Sequence, residues 1–215
     1  MSAEPPLIKV CGITRPEDAM ACAALEVWAI GLVFAEGSSR QVDAEAAAAI
    51  TGVLDPMSSK VGVFVDPDPA EVARIVPVAG LTHVQIHGGS VSAVKEAVPL
   101  PVIEAFSIDG PSALEAARAS TADLILLDAA VEGQAGGTGA TFDWSLLEGE
   151  DLGRPWILAG GLTPENVVDA VARLSPDVVD VSTGVESAPG LKEPERIRAF
   201  TRGATLGWER GAARG

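Results

Sequence analysis

Val61-Gly62-Val63-Phe64-Val65 is apolar at every position, too short for a helix, and bounded by Asp66-Pro67. A half-exposed strand alternates apolar with polar residues, whereas a run apolar on both faces suits a parallel strand covered by helices. Similar runs of four to seven residues recur along the chain, giving strands near 7–10, 28–34, 60–65, 82–86, 101–106, 123–128, 155–159 and 178–181. Each is followed by a segment of helical length: 16–26, 43–53, 69–78, 90–97, 110–119, 144–149, 164–174 and 193–202. Alternation of this kind yields a closed barrel or an open doubly wound sheet. Eight units in 215 residues, with no dinucleotide-binding glycine fingerprint after the first strand, favour a single-domain (β/α)8 TIM barrel.

Local signals support this register. Thr14 with Glu17 forms a capping-box pattern, and Asp43 and Thr163 are good N-caps, the latter with Pro164 at the first helical position. The domain is expected to span 1–215, with 1–6 and 203–215 peripheral. The segment Gly203 to Gly215 carries little pattern beyond Trp208, so its end is expected to fray.

Hydrophobic residues make up 47% of the chain and aromatics only 4%, a composition suited to close packing of helices on a parallel sheet. The net charge of −15 argues against nucleic acid or an anionic membrane as partner, because both need a positive footprint. An anionic small molecule would have to be held by local donors such as single arginines and backbone N–H groups. Cys11 and Cys22 are the two cysteines, and Cys22 lies in the alanine-rich stretch Ala19–Leu25 that reads as a packed helix face. A reduced, cytoplasmic protein is the simplest expectation, with neither a secretory leader nor a membrane span. A homo-oligomer is possible but not required.

In a (β/α)8 barrel the reacting groups stand where strands end. Those positions hold Cys11, the Ser38-Ser39-Arg40 loop, Asp66, Gln85 and His87, Ser107, Asp128, Gly160-Gly161 and Asp180 to Gly184. Cys11, followed at once by Gly12, is a candidate general base, although free cysteine is often inert filler. Asp128 ends the run Leu124-Ile125-Leu126-Leu127 and is a candidate proton donor, its bland alternative being a turn aspartate. The two glycine turns follow strands 7 and 8, where this architecture commonly binds phosphate through Gly160, Gly161, Ser182, Thr183 and Gly184. Gly133 to Gly139, within the loop 129–141, is a slack linker or a lid. Arg40 is a carboxylate partner or a solvated loop residue. His83 and His87 lack companions at metal-ligand spacing, so no metal is expected. Strand alternation puts Lys9 on the side of Cys11 and allows it to pair with Asp180 beneath the site.

Together these residues resemble the phosphoribosylanthranilate isomerase family of tryptophan biosynthesis. The likeness runs from Lys9-Val10-Cys11-Gly12-Ile13-Thr14 through Gly31-Leu32-Val33-Phe34, Val84-Gln85-Ile86-His87-Gly88, Gly136-Gly137-Thr138-Gly139 and Leu158-Ala159-Gly160-Gly161-Leu162 to Asp180-Val181-Ser182-Thr183-Gly184-Val185-Glu186. Ser39 stands where the family commonly has proline, and Thr183 where it has a second serine; both keep the presumed contacting group. The resemblance implies a cofactor-independent Amadori rearrangement of a phosphorylated small molecule. It assigns Asp128 as acid and Cys11 as base needing modest activation, with Arg40 on the anthranilate carboxylate and Gln85 and Asp180 beside the substrate. The related histidine-pathway isomerase typically has aspartate in place of Cys11, and needs a second phosphate site where this chain has the acidic Val65-Asp66-Pro67-Asp68-Pro69. A catalytically idle phosphate-binding barrel is a further alternative, which the presence of both Cys11 and Asp128 argues against.

Overall fold

The computed structural model describes residues 4–128 and 144–213. Eight parallel strands close on themselves: β1 (Leu7–Val10), β2 (Ala29–Val33), β3 (Ser59–Val65), β4 (His83–His87), β5 (Val102–Ser107), β6 (Leu124–Asp128), β7 (Trp156–Ala159) and β8 (Val178–Val181), with β8 paired back onto β1. Around them lie α1 (Pro16–Ala24), α2 (Ala44–Thr51), α3 (Pro69–Ala79), α4 (Val91–Ala97), α5 (Pro111–Ala119), α6 (Val167–Leu174) and α7 (Pro194–Ala212). After β8 come a 3-10 turn, Thr183–Val185, and a small hairpin of β9 (Glu186–Ala188) and β10 (Leu191–Lys192). The expected (β/α)8 barrel is the observed architecture.

The strands are apolar on both faces because both faces are covered. Val61, Val63, Ile103, Leu126, Ile157 and Val178 fill the barrel interior. Their neighbours Val10, Leu32, Phe64, Ile86, Ile125 and Leu158 point outward under the helices. Into this interior comes one lysine: Lys9 is fully buried, register partner of Asp180 across the β1–β8 seam, with Nζ 2.8 Å from Oδ2. The pairing expected from strand alternation is present.

The helix starts depart from expectation in two places. Asp43 caps α2 as expected, its carboxylate accepting from the Ala46 N–H at 2.7 Å. Thr14 does not form a capping box, because its hydroxyl donates to the Gly190 carbonyl at 2.6 Å and so ties the β1 loop to the hairpin; Arg15 is the N-cap. Thr163 does not begin α6 either. Its N–H donates to Asn166 Oδ1 and its hydroxyl accepts from Glu165, making a turn that delays the helix to Val167.

The segment 144–149 is a 3-10 turn, Trp144–Leu146, rather than a helix, since Gly149 and Gly153 at positive φ swing the chain toward β7. The largest difference is at the C-terminal end. Instead of ending at residue 202, α7 continues to Ala212. Gly203, Gly207 and Gly211 recur every four residues and are all buried, forming a smooth stripe along one face of the helix. A Cβ on Gly207 would lie 2.6 Å from the Val168 carbonyl oxygen and 2.8 Å from Val171 Cβ, which shows how closely α7 approaches α6.

This contact sets a test of the fold. Ordinarily Gly→Ala in a helix gains about 1 kcal/mol. Gly207→Ala should instead lose about 1–3 kcal/mol in urea unfolding, as overpacking against backbone does. Gly110→Ser, at an extended N-cap with nothing within 4 Å of its Cβ position, should be neutral or slightly stabilising. A raised midpoint for Gly207→Ala would show that α7 does not dock this way.

Candidate active site

A cavity of about 260 Å³ opens at the carboxyl ends of the strands. Cys11 enters it one residue beyond β1, its N–H donating to Val181 and those of Gly12 and Ile13 to the Gly31 carbonyl. Gly31 makes room for the thiol: a Cβ there would stand 2.7 Å from Cys11 Sγ. Gly12, at φ +75°, turns the chain away beneath the Arg40 side chain. Asp128, the half-buried last residue of β6, lines the same cavity. The candidate acid and base, 117 positions apart in sequence by the difference of their numbers, therefore share one space.

Beneath them the charges are close-set. Burial pushes the Cys11 thiol up from its ordinary value, and the nearby Lys9 and Lys192 ammonium groups only partly oppose this. This direction is opposite to the activation that a general base would require. For Asp180, burial raises the pKa and Lys9 lowers it, with a net rise. Lys9 is lowered by burial and raised by Asp180 and Cys11, again with a net rise. Asp180 Oδ1 and Gln85 Oε1 are both buried with no hydrogen-bond partner among the described residues. Both residues line the cavity, so these two acceptors are placed to receive hydroxyl donors from a ligand. Gln85 Nε2 lies 2.9 Å from His87 Nε2. Burial lowers the His87 pKa, so the ring sits in the cavity as neutral imidazole. Sequence placed His87 at a strand end beside Gln85 but assigned it no role in the site. Its strand-end position beside Gln85 was the available signal.

Two glycine loops form the opposite wall. Gly160 and Gly161 lie at φ +90° and +64°, and nothing would meet a Cβ on Gly161 within 4 Å, so its backbone is open to the cavity. Ser182 and Thr183 face the same space. Gly184 is not on the cavity wall. A Cβ there would stand 2.1 Å from the Leu162 carbonyl oxygen, so this glycine instead lets the loop after β8 touch the loop after β7.

Arg40 stands at the rim, outside the lining residues, with Nε and Nη2 bound to the two oxygens of Glu186 at 2.8 and 2.6 Å. Lys192 Nζ is 2.7 Å from the same carboxylate and 3.2 Å from the Ser182 carbonyl oxygen. Burial works against the Glu186 charge, but the Arg40 and Lys192 hydrogen bonds outweigh it and hold the carboxyl down at about 2. Neither Glu186 nor Lys192 was picked out as a site residue from sequence, since their meeting with Arg40 depends on barrel closure. Among the described residues no group of three or more His, Cys, Asp or Glu side chains is arranged to hold a metal, and no helix is long and apolar enough to cross a membrane. The glycine-rich segment Gly133 to Gly139 lies outside the described residues.

Comparison with known proteins agrees with this geometry. Residues 8–202 match the family described as N-(5'-phosphoribosyl)anthranilate (PRA) isomerase. The chain is 45% identical over 194 residues to the N-(5'-phosphoribosyl)anthranilate isomerase of Pseudomonas fluorescens, covering 89% of this chain and 92% of the relative. It is 43% identical over 201 residues to that of Nitrosospira multiformis, covering 93% and 96%. The crystal structure of the Thermotoga maritima phosphoribosyl anthranilate isomerase superposes with a TM-score of 0.86 at 36% identity, covering 93% of this chain and 98% of that one. A phosphoribosyl anthranilate isomerase in complex with reduced 1-(o-carboxyphenylamino)-1-deoxyribulose 5-phosphate gives 0.81 at 34%, with the same coverage. The chain belongs to the N-(5'-phosphoribosyl)anthranilate isomerase family.

Proposed function

We propose that the chain converts N-(5-phosphoribosyl)anthranilate to 1-(2-carboxyphenylamino)-1-deoxyribulose 5-phosphate, with Cys11 and Asp128 as its base and acid. The observation that carries this reading is one cavity lined by a thiol, a carboxyl, the open Gly160-Gly161 turn and the Ser182-Thr183 loop, on a chain of that family. The Asp128 carboxyl gives its proton to the ring oxygen as the C1–O bond breaks and the anthranilate nitrogen forms an imine. The Cys11 thiolate then takes the C2 proton. Electrons of the C2–H bond form the C1=C2 bond of an enolamine as the C1=N pair returns to nitrogen; the enolamine becomes the ketone when C1 gains a proton and the C2 hydroxyl loses one. C1 is reduced and C2 oxidised within one molecule, an oxidoreductase-type isomerisation that needs no external electron carrier. Gly160, Gly161, Ser182 and Thr183 hold the phosphate, with Gly184 keeping their loops together. Gln85 and Asp180 receive the sugar hydroxyls, and Arg40 meets the anthranilate carboxylate. The two free cysteines suit a reduced, cytoplasmic setting, and the cavity is formed within one chain.

Loss of anthranilate fluorescence on mixing with substrate tests the reaction itself, and no loss would reject it. Cys11→Ala and Asp128→Asn should each lower turnover by about 10²–10⁴-fold while the reduced product analogue still binds. Near wild-type turnover would remove that residue from its role.

Lys9→Met tests the charge beneath the base. Cys22 is buried with its thiol raised to about 12, so alkylation reports Cys11. The wild-type alkylation rate should climb only above the ordinary thiol value of 9.0, because burial raises this thiol. Removing an ammonium that favours the thiolate should move the climb to still higher pH. It should also cost about 3–5 kcal/mol of stability by stranding Asp180. An unmoved alkylation profile would reject the electrostatic role.

The phosphate assignment is tested at Gly184. Gly184→Ala must push the two loops apart, so it should raise KM more than it lowers kcat, and inorganic phosphate should compete with substrate. An equal fall in kcat with KM unchanged would place the phosphate elsewhere.

A further inference from the structure

Arg40 is held before any substrate arrives. A guanidinium carries five N–H donors, and the Glu186 fork engages Nε and one hydrogen of Nη2. Nη1, 3.4 Å from Ser39 Oγ, and the outer hydrogen of Nη2 form the remaining edge. Glu186 is itself braced, with its side chain 5% exposed. Its Oε1 accepts from Lys192 Nζ at 2.7 Å and from the Gly190 N–H at 3.2 Å. Lys192 is fully buried at its side chain and anchored to Ser182, which lines the cavity. Two cations thus share one carboxylate, leaving a positive charge at the rim of a chain whose net charge is −15. An anionic group would complete the set.

We propose that Glu186, braced by Lys192, is a positioning residue that turns the free edge of Arg40 toward the substrate carboxylate and so sets selectivity for an ortho-carboxylated aryl amine. The inference rests on the reading that Arg40 meets that carboxylate. An unheld arginine would have to be ordered on binding, and Glu186 does this beforehand. Charge alone does not suffice, because planar two-point recognition needs the fork aimed.

The test compares two ligands on the full chain by calorimetry: the reduced product analogue and its counterpart built from aniline, which lacks the carboxyl. The wild type should prefer the carboxylated ligand by about ten- to a hundredfold, the span for hydrogen bonds to a charged group. In Glu186→Gln that preference should fall about tenfold, with affinity for the aniline ligand changed less than about threefold. A residue that only held the loops together would weaken both ligands alike, and that result would overturn the proposal. Glu186→Gln strands the Lys192 charge, so the double variant with Lys192→Met decides the matter if the single one does not fold. Arg40→Gln separates the two claims. A preference that survives it overturns the Arg40 reading, and this inference with it. A preference lost there but kept in the Glu186 variants overturns this inference alone.

Discussion

The ion pair between Lys9 and Asp180 is the constraint on which the site depends. An ammonium sealed inside a barrel is tolerable only with a partner, and the partner lies directly across the seam where β8 closes on β1. Moving either strand by one residue would turn its own charge toward the helices, leave the other charge unpaired inside the barrel, and drive Val10 or Val181 inward. The pair therefore specifies register more than it adds stability. The same register brings Cys11 to the cavity wall at the end of β1 and Ser182 to it at the end of β8. Closure and catalytic geometry are one arrangement.

Much of this was legible in the sequence because it follows from periodicity of short range. Strands covered on both faces show as unbroken apolar runs, and Cys11 and Asp128 are visible as reactive groups terminating such runs. What was hidden depends on distant contacts. Thr14 has the local pattern of a capping box, but a carbonyl 176 positions away takes its hydroxyl. Gly203 and Gly207 resemble the end of a helix until α6 supplies a surface that only glycine can approach. Lys192 and Glu186 lie in a hairpin with no motif of their own beyond the strand-8 loop, and Arg40 reaches Glu186 from 146 positions away.

The placement of cations also resolves an apparent conflict of charge. A strongly acidic chain repels anions at long range, but beyond about 8–10 Å that field is screened in physiological salt. Within the site Lys9, Lys192 and Arg40 are held at short range by buried carboxylates, where screening is weak. Each carboxylate keeps a cation in place without cancelling all its donors. A substrate with a phosphate at one end and a carboxylate at the other fits this division, with open backbone on one wall and a pre-aimed guanidinium at the rim.

On the proposed mechanism, the raised Cys11 thiol orders the steps. In the free site burial favours the neutral thiol, and an exposed reactive thiolate is avoided. Ring opening by Asp128 places a cationic imine on C1, next to the carbon whose proton Cys11 must take. That cation acidifies the C2 proton and, as a positive charge close to the sulfur, favours thiolate over thiol. Base catalysis thus becomes available once the acid step has made its cation, and Lys9 and Lys192 need only bring the thiol within reach of that change. A base already ionised in the resting site would not require this order, whereas a buried one above its ordinary pKa depends on it.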